Sequence, residues 1–95
     1  MTYEVERLFL TDPAGNPMEP HDPEMHVVEA NSAKSAAMKF LETEGGRLLG
    51  SICDAPGDQC TAIGWREGRA YAITVWLMGH RPVSPLGRWF TDLTS

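Results

Sequence analysis

Long apolar runs are missing from this 95-residue chain, and no stretch approaches the roughly 20 consecutive apolar residues of a membrane-spanning helix. The opening "MTYEVERLFLTD" carries Glu4, Glu6 and Arg7 where a signal peptide would hold its apolar segment, so a cytoplasmic location is expected. Cationic side chains are scarce: eight Lys and Arg stand against thirteen Asp and Glu, for a net charge of -5. That balance argues against duplex nucleic acid as a partner, because its phosphates are held by clustered Lys and Arg. Cysteine is limited to Cys53 and Cys60, too few for a disulfide-built scaffold. Sequence signatures of catalysis are absent too: there is no Gly-rich phosphate loop, G-x-S-x-G elbow, H-E-x-x-H pair or deaminase Cys/His pattern. The glycines of "EGGRLLG" follow a helical pattern and precede a strand, the reverse of a phosphate site at a helix N-terminus. His80 beside Arg81 has no nucleophile to serve and reads as chain leaving a strand. A non-enzymatic protein without a cofactor is the expectation.

What the chain does contain suffices for one folded domain over residues 1–95: 42% hydrophobic and 22% charged residues, ordinary values for a globular core. "TYEVERLFL" alternates at first, with Tyr3, Val5 and Phe9 on one face and Glu4 and Glu6 on the other, which predicts a strand. Pro13, Pro17, Pro20 and Pro23 then remove backbone donors through a long loop over 11–24, and "MHVVEA" follows as a short strand. In "NSAKSAAMKFLETEGG", Ala33, Ala36, Ala37, Phe40 and Leu41 fall on one helical stripe. Asn31 or Ser32 supplies the N-cap, and Gly45 and Gly46 supply the left-handed stop.

"RLLGSIC", "CTAIGW" and "AYAITVWLM" predict three more strands joined by two hairpins, the second turning at Glu67-Gly68. That turn sets Gly64 opposite Tyr71, Ala62 opposite Ile73 and Cys60 opposite Val75, leaving Ile63, Trp65, Ala72, Trp76 and Met78 on the other face. Both faces are then apolar, and one helix covers only one of them. The tail offers a second cover: Ser84 and Pro85 suit a helix start, and Leu86, Trp89, Phe90 and Leu93 repeat at helical spacing over 85–93. The predicted fold is α+β, a mostly antiparallel sheet of four or five strands in β-β-α-β-β-β order. One main helix packs on it, residues 1–79 form the core, and 80–95 form a C-terminal segment with a short amphipathic helix.

The stretch "CDAPGDQC" admits three chemistries. A symmetric loop would set Cys53 and Cys60 directly opposite one another, within reach of a disulfide. In a reducing compartment they are expected as free thiols packed as small hydrophobes. Zinc would need further ligands, for which His21 and His26 are the candidates, and a C-x6-C spacing is wider than usual, so no metal is expected. The acids of the loop do not match the ligand pattern of a calcium loop.

Charge is unevenly placed: residues 1–60 hold eleven acids and four Lys/Arg, whereas 61–95 hold two acids and four Arg. Asp12, Glu19, Asp22, Glu24 and Glu29 succeed one another without an intervening Lys or Arg. Prolines stiffen this segment and reduce the entropy lost when it docks, and opposite charge on a partner would steer the encounter. These five acids, with Trp89 and Phe90 of the tail, are the candidate contacts for a larger protein with a basic surface. A compact acidic domain without catalytic machinery is the form expected of an inhibitor of a nucleic-acid-handling machine, anti-CRISPR antagonists from phages and mobile elements being one such class. Two alternatives use the tryptophan face instead. One is a single-stranded nucleic-acid binder with Trp65 and Trp76 as stacking platform and Arg66 and Arg69 beside them; the other is a homodimer burying that face.

Overall fold

The computed structural model describes residues 1–19 and 21–81. It contains five strands, β1 (Thr2–Phe9), β2 (Glu24–Glu29), β3 (Arg47–Ala55), β4 (Gln59–Arg66) and β5 (Arg69–Leu77), and one helix, α1 (Ala33–Thr43), between β2 and β3. The strands form one sheet in the order β2-β1-β5-β4-β3, antiparallel at every pairing. An α+β domain with one helix on an antiparallel sheet is therefore what the chain builds. The helix predicted over 85–93, with Trp89 and Phe90, lies outside the described residues. No described helix is long and apolar enough to cross a membrane.

α1 begins where the sequence places a cap. The Ser32 side chain accepts a hydrogen bond from the Ser35 N–H at 3.1 Å, satisfying one of the free donors of the first turn. A second donor, the Ala33 N–H, reaches the Asp58 carboxylate at 3.0 Å, so the β3–β4 turn helps cap the helix. At the other end Gly45 turns left-handed at φ +68°, and the Gly46 N–H closes on the Leu41 carbonyl at 2.8 Å. The predicted stripe of Ala33, Ala36, Ala37, Phe40 and Leu41 is buried against Tyr3, Val5, Cys60, Ala62, Tyr71, Ile73 and Val75. The small alanines bring the helix close to the sheet.

The β4–β5 register is the one the Glu67-Gly68 turn predicts: Gly64 pairs with Tyr71, Ala62 with Ile73 and Cys60 with Val75. The β3–β4 register departs from a symmetric loop. Its turn is Pro56-Gly57-Asp58, closed by Ala55 opposite Gln59, with Gly57 at φ +85° and Asp58 at φ +56°. Cys53 thus pairs with Thr61 while Cys60 pairs with Asp54, one residue away from the expected alignment. Because side chains alternate, a one-residue slip sends the two sulfurs to opposite faces. Cys60 is buried under α1, Cys53 is exposed, and both are free thiols. The convergence that either a disulfide or a zinc site would need is lost.

β1 holds two surprises. Arg7 occupies the helix-covered face beside Tyr3, Val5 and Phe9, and is almost fully buried. Its guanidinium donates to Glu44 at 2.6 Å and Glu24 at 3.1 Å, with its carbon 4.8 to 5.4 Å from the centres of the Phe9, Tyr71 and Phe40 rings. Glu6, on the face opposite Tyr3 and Val5, is only 3% exposed and faces Thr74 across the β1–β5 ladder. Arg81 donates to it at 3.3 Å and lies 5.7 Å from the centre of the Trp76 ring. Burial pushes the Glu6 carboxyl above its ordinary range, and the Arg81 charge partly opposes that rise.

Candidate functional site

The Pro-rich segment is less open than its composition suggests. Asp12 turns its carboxylate inward and accepts the Ala14 and Asn16 N–H groups, each at 2.9 Å, the pattern of an Asx turn. Thr11 bridges to Pro17, the Met18 N–H reaches the Leu10 carbonyl, and the Thr11 hydroxyl accepts from the Ala70 N–H at 2.9 Å. Residues 11–18 are thereby pinned to the ends of β1 and β5. Asp12 is a structural residue within this turn.

The other acids divide by how their charges are used. Glu24 pairs with Arg7 and so belongs to the support of the core. Glu29 accepts from the Thr2 hydroxyl and stands 3.9 Å from the amino terminus. Glu19 and Asp22 are exposed, and neither carboxylate has a hydrogen-bond or ion-pair partner among the described residues. Both carboxylates are therefore open to a partner in the stretch of chain that leads into β2.

Among the described residues β2 is an outermost strand and pairs only with β1. Its far side presents backbone donors and acceptors without a ladder partner among the described residues. His26 and Val28 turn toward α1, the His26 ring 5.0 Å from that of Phe40. Met25 and Val27 turn to the opposite face and are 46% and 61% exposed. The result is an open strand edge with two exposed apolar side chains, bounded by Glu19 and Asp22 before it and by Glu24 and Glu29 at its ends. Met25 and Val27 escape a reading of the sequence, since "MHVVEA" marks a strand but not which strand becomes an edge. That is decided by long-range pairing of β1 with β5.

Trp65 and Trp76 do not form a platform. Trp76 has no exposed surface, and its indole N–H donates to Glu4 at 3.2 Å. Trp65 is 38% exposed and stands opposite Arg47. Arg66 and Arg69 pair at the β4–β5 turn on the opposite face from Trp65, as their adjacent strand positions require. One ring remains where two were expected, so Trp76 is removed from the stacking candidates. Ala72, on the same face as Trp76, is also buried within the single chain, while Met78 of that face is 44% exposed.

No family model matches the chain, and no match is found among curated proteins or solved structures. Functional inference therefore rests on the chemistry of its own surfaces.

Proposed function

We propose that this protein is a non-enzymatic interaction module that covers a basic surface on a larger protein. The observation that carries the reading is that Glu19 and Asp22, exposed and without a partner among the described residues, precede β2 in the chain, an outer strand whose Met25 and Val27 are exposed. Acids at the rim of an apolar contact steer the encounter and fix its orientation, while the apolar pair supplies contact area. A surface of this kind suits an inhibitor that occupies the nucleic-acid path of a basic machine, and an anti-CRISPR antagonist is the class that fits its size and charge.

The test is affinity capture from the source cells with wild-type protein and with Glu19→Lys/Asp22→Lys as paired baits. Both positions are exposed, so the double variant is expected to keep its folding stability within about 1 kcal/mol. A basic protein retained by the wild type at low salt and lost by the variant supports the reading. Identical retention by both baits contradicts it.

A further inference from the structure

β2 meets β1 through the backbone groups of alternate residues only. Ala30 and Met1 exchange two bonds, the Ala30 N–H reaching the Met1 carbonyl at 3.0 Å and the terminal amine reaching the Ala30 carbonyl at 2.9 Å. In an antiparallel ladder such two-bond pairs alternate with pairs that exchange none. The register then gives Val28 with Tyr3 and His26 with Val5 as the next two-bond pairs, and turns the N–H and C=O of Met25, Val27 and Glu29 away from β1. Two contacts agree with this phase. The Met78 N–H takes the Thr2 carbonyl, which therefore points away from β2, and the Lys39 ammonium donates to the Glu29 carbonyl at 2.9 Å from outside the ladder. Lys39 thus closes the far end of the edge, while Met25 and Val27 keep outward donors and acceptors without a ladder partner among the described residues.

The space beside that edge offers contacts on both faces of the sheet. On the helix side, His26, Val28, Lys39, Phe40, Thr43 and Glu44 line a mainly apolar groove of about 380 Å³ between β2 and α1. On the other side Met25 and Val27 are exposed. A strand added to β2 would lie about 4.8 Å away and direct alternate side chains into the groove and against Met25 and Val27. Exposed charge along the strand is mostly negative: the Glu24 and Glu29 side chains are 50% and 67% exposed at its ends, and Glu19 and Asp22 precede it. Of the cations nearby, Arg7 is buried and Lys39 is held at the Glu29 carbonyl. A second copy of β2 would bring the same acids to the facing edge, where like charges are unfavourable.

We propose that β2 takes up an extended segment of the partner as a further strand of the sheet, apolar at its centre and flanked by Lys or Arg. This mode rests on the interaction-module reading and specifies how the partner is held. Backbone hydrogen bonds at Met25 and Val27 supply affinity, the groove and the opposite apolar face select side chains, and the acids select the flanking charge.

The experiment titrates the intact protein with the end-blocked peptide Lys-Lys-Thr-Val-Thr-Val-Thr-Lys-Lys and follows amide exchange by NMR. Saturable binding is expected, with the Met25 and Val27 amides exchanging quickly in the free protein and slowly at saturation, and those of His26 and Val28 slow in both states. Only alternate peptide amides can face β2, so N-methylating both valines or all the threonines should remove binding in one case and spare it in the other. Val27→Pro deletes an N–H that points away from β1 and should weaken the peptide about tenfold or more. Absence of saturable binding, or equal binding by the two N-methylated peptides, would overturn strand addition. A dimer in sedimentation that dissociates in Val27→Pro would assign the edge to a second copy and overturn it as well. The two readings fail separately. Peptide binding that is unchanged in Glu19→Lys/Asp22→Lys at every salt concentration counts against acidic steering and leaves strand addition in place. A captured partner weakened by that charge reversal but indifferent to Val27→Pro overturns strand addition and leaves the acidic surface in place.

Discussion

Arg7 has nine-tenths of its side chain out of water and keeps its charge because two carboxylates and three aromatic rings enclose it. Glu24 and Glu44 remain partly exposed, so they can regain water if the arginine is removed. Arg7→Ala is expected to cost about 2 to 4 kcal/mol in urea denaturation, combining a cavity with two released acids; a loss below about 0.5 kcal/mol would show that the enclosure contributes nothing. The Tyr3 hydroxyl donates to Asp58, an arrangement that lowers the Asp58 pKa and pushes that of Tyr3 up to about 12. Signs follow from which form the fold prefers. Asp58 stabilises the fold above its unfolded pKa and loses that contribution as pH falls through its lowered value, whereas Tyr3 contributes below pH about 10 and loses it as pH rises toward 12. In Asp58→Asn both pH-dependent losses should shrink when stability is followed against pH, and an unchanged profile would contradict the pairing. Thiol chemistry gives a third check. Cys53 is exposed, while burial pushes the Cys60 thiol up to about 12, so a thiol reagent at mildly alkaline pH should modify one cysteine quickly and the other only after unfolding.

At the scale of elements, α1 and the β4–β5 hairpin were legible because their signals are local. Helical spacing, a Ser cap and paired glycines fix α1, and a two-residue turn fixes which residues of β4 and β5 meet. β3 was less legible. Gly50, at φ +77°, lies inside a register shift between Leu49 and Cys53, and the turn takes three residues where a symmetric loop has six. Nothing in "CDAPGDQC" distinguishes the two closures, because Asp58 must adopt a left-handed conformation that is stabilised by contacts with Tyr3 and the start of α1. Arg7 and Glu6 were illegible for a related reason: their burial depends on partners 17 to 75 residues away. Packing of the helix end on the sheet can be tested through its two glycines. Gly46→Ala and Gly64→Ala should each destabilise by about 1 to 3 kcal/mol through overpacking against Tyr71. Adding Tyr71→Phe should relieve Gly46→Ala, which collides with the hydroxyl, and leave Gly64→Ala unrelieved, since that Cβ meets the ring itself. Equal relief of both would contradict the placement of Tyr71.

For the whole molecule, the net charge of -5 conceals a division of labour. Of the five acids in the run from Asp12 to Glu29, Asp12, Glu24 and Glu29 have internal partners, and Glu19 and Asp22 have none among the described residues. Sequence composition located the acidic segment but could not sort its members, since the sorting depends on a local turn, a buried arginine and the amino terminus. Arg66 and Arg69, without ion pairs among the described residues, stand at the β4–β5 turn, where Arg69 holds the start of the Pro-rich segment through Thr11 and Met18. The proposed binding mode is tested most directly by titrating the purified captured partner with wild type and Glu19→Lys/Asp22→Lys across ionic strength. The account predicts wild-type affinity that falls steeply with salt, and a variant that binds more weakly with a shallower salt dependence. Equal affinities with parallel salt dependence would contradict it.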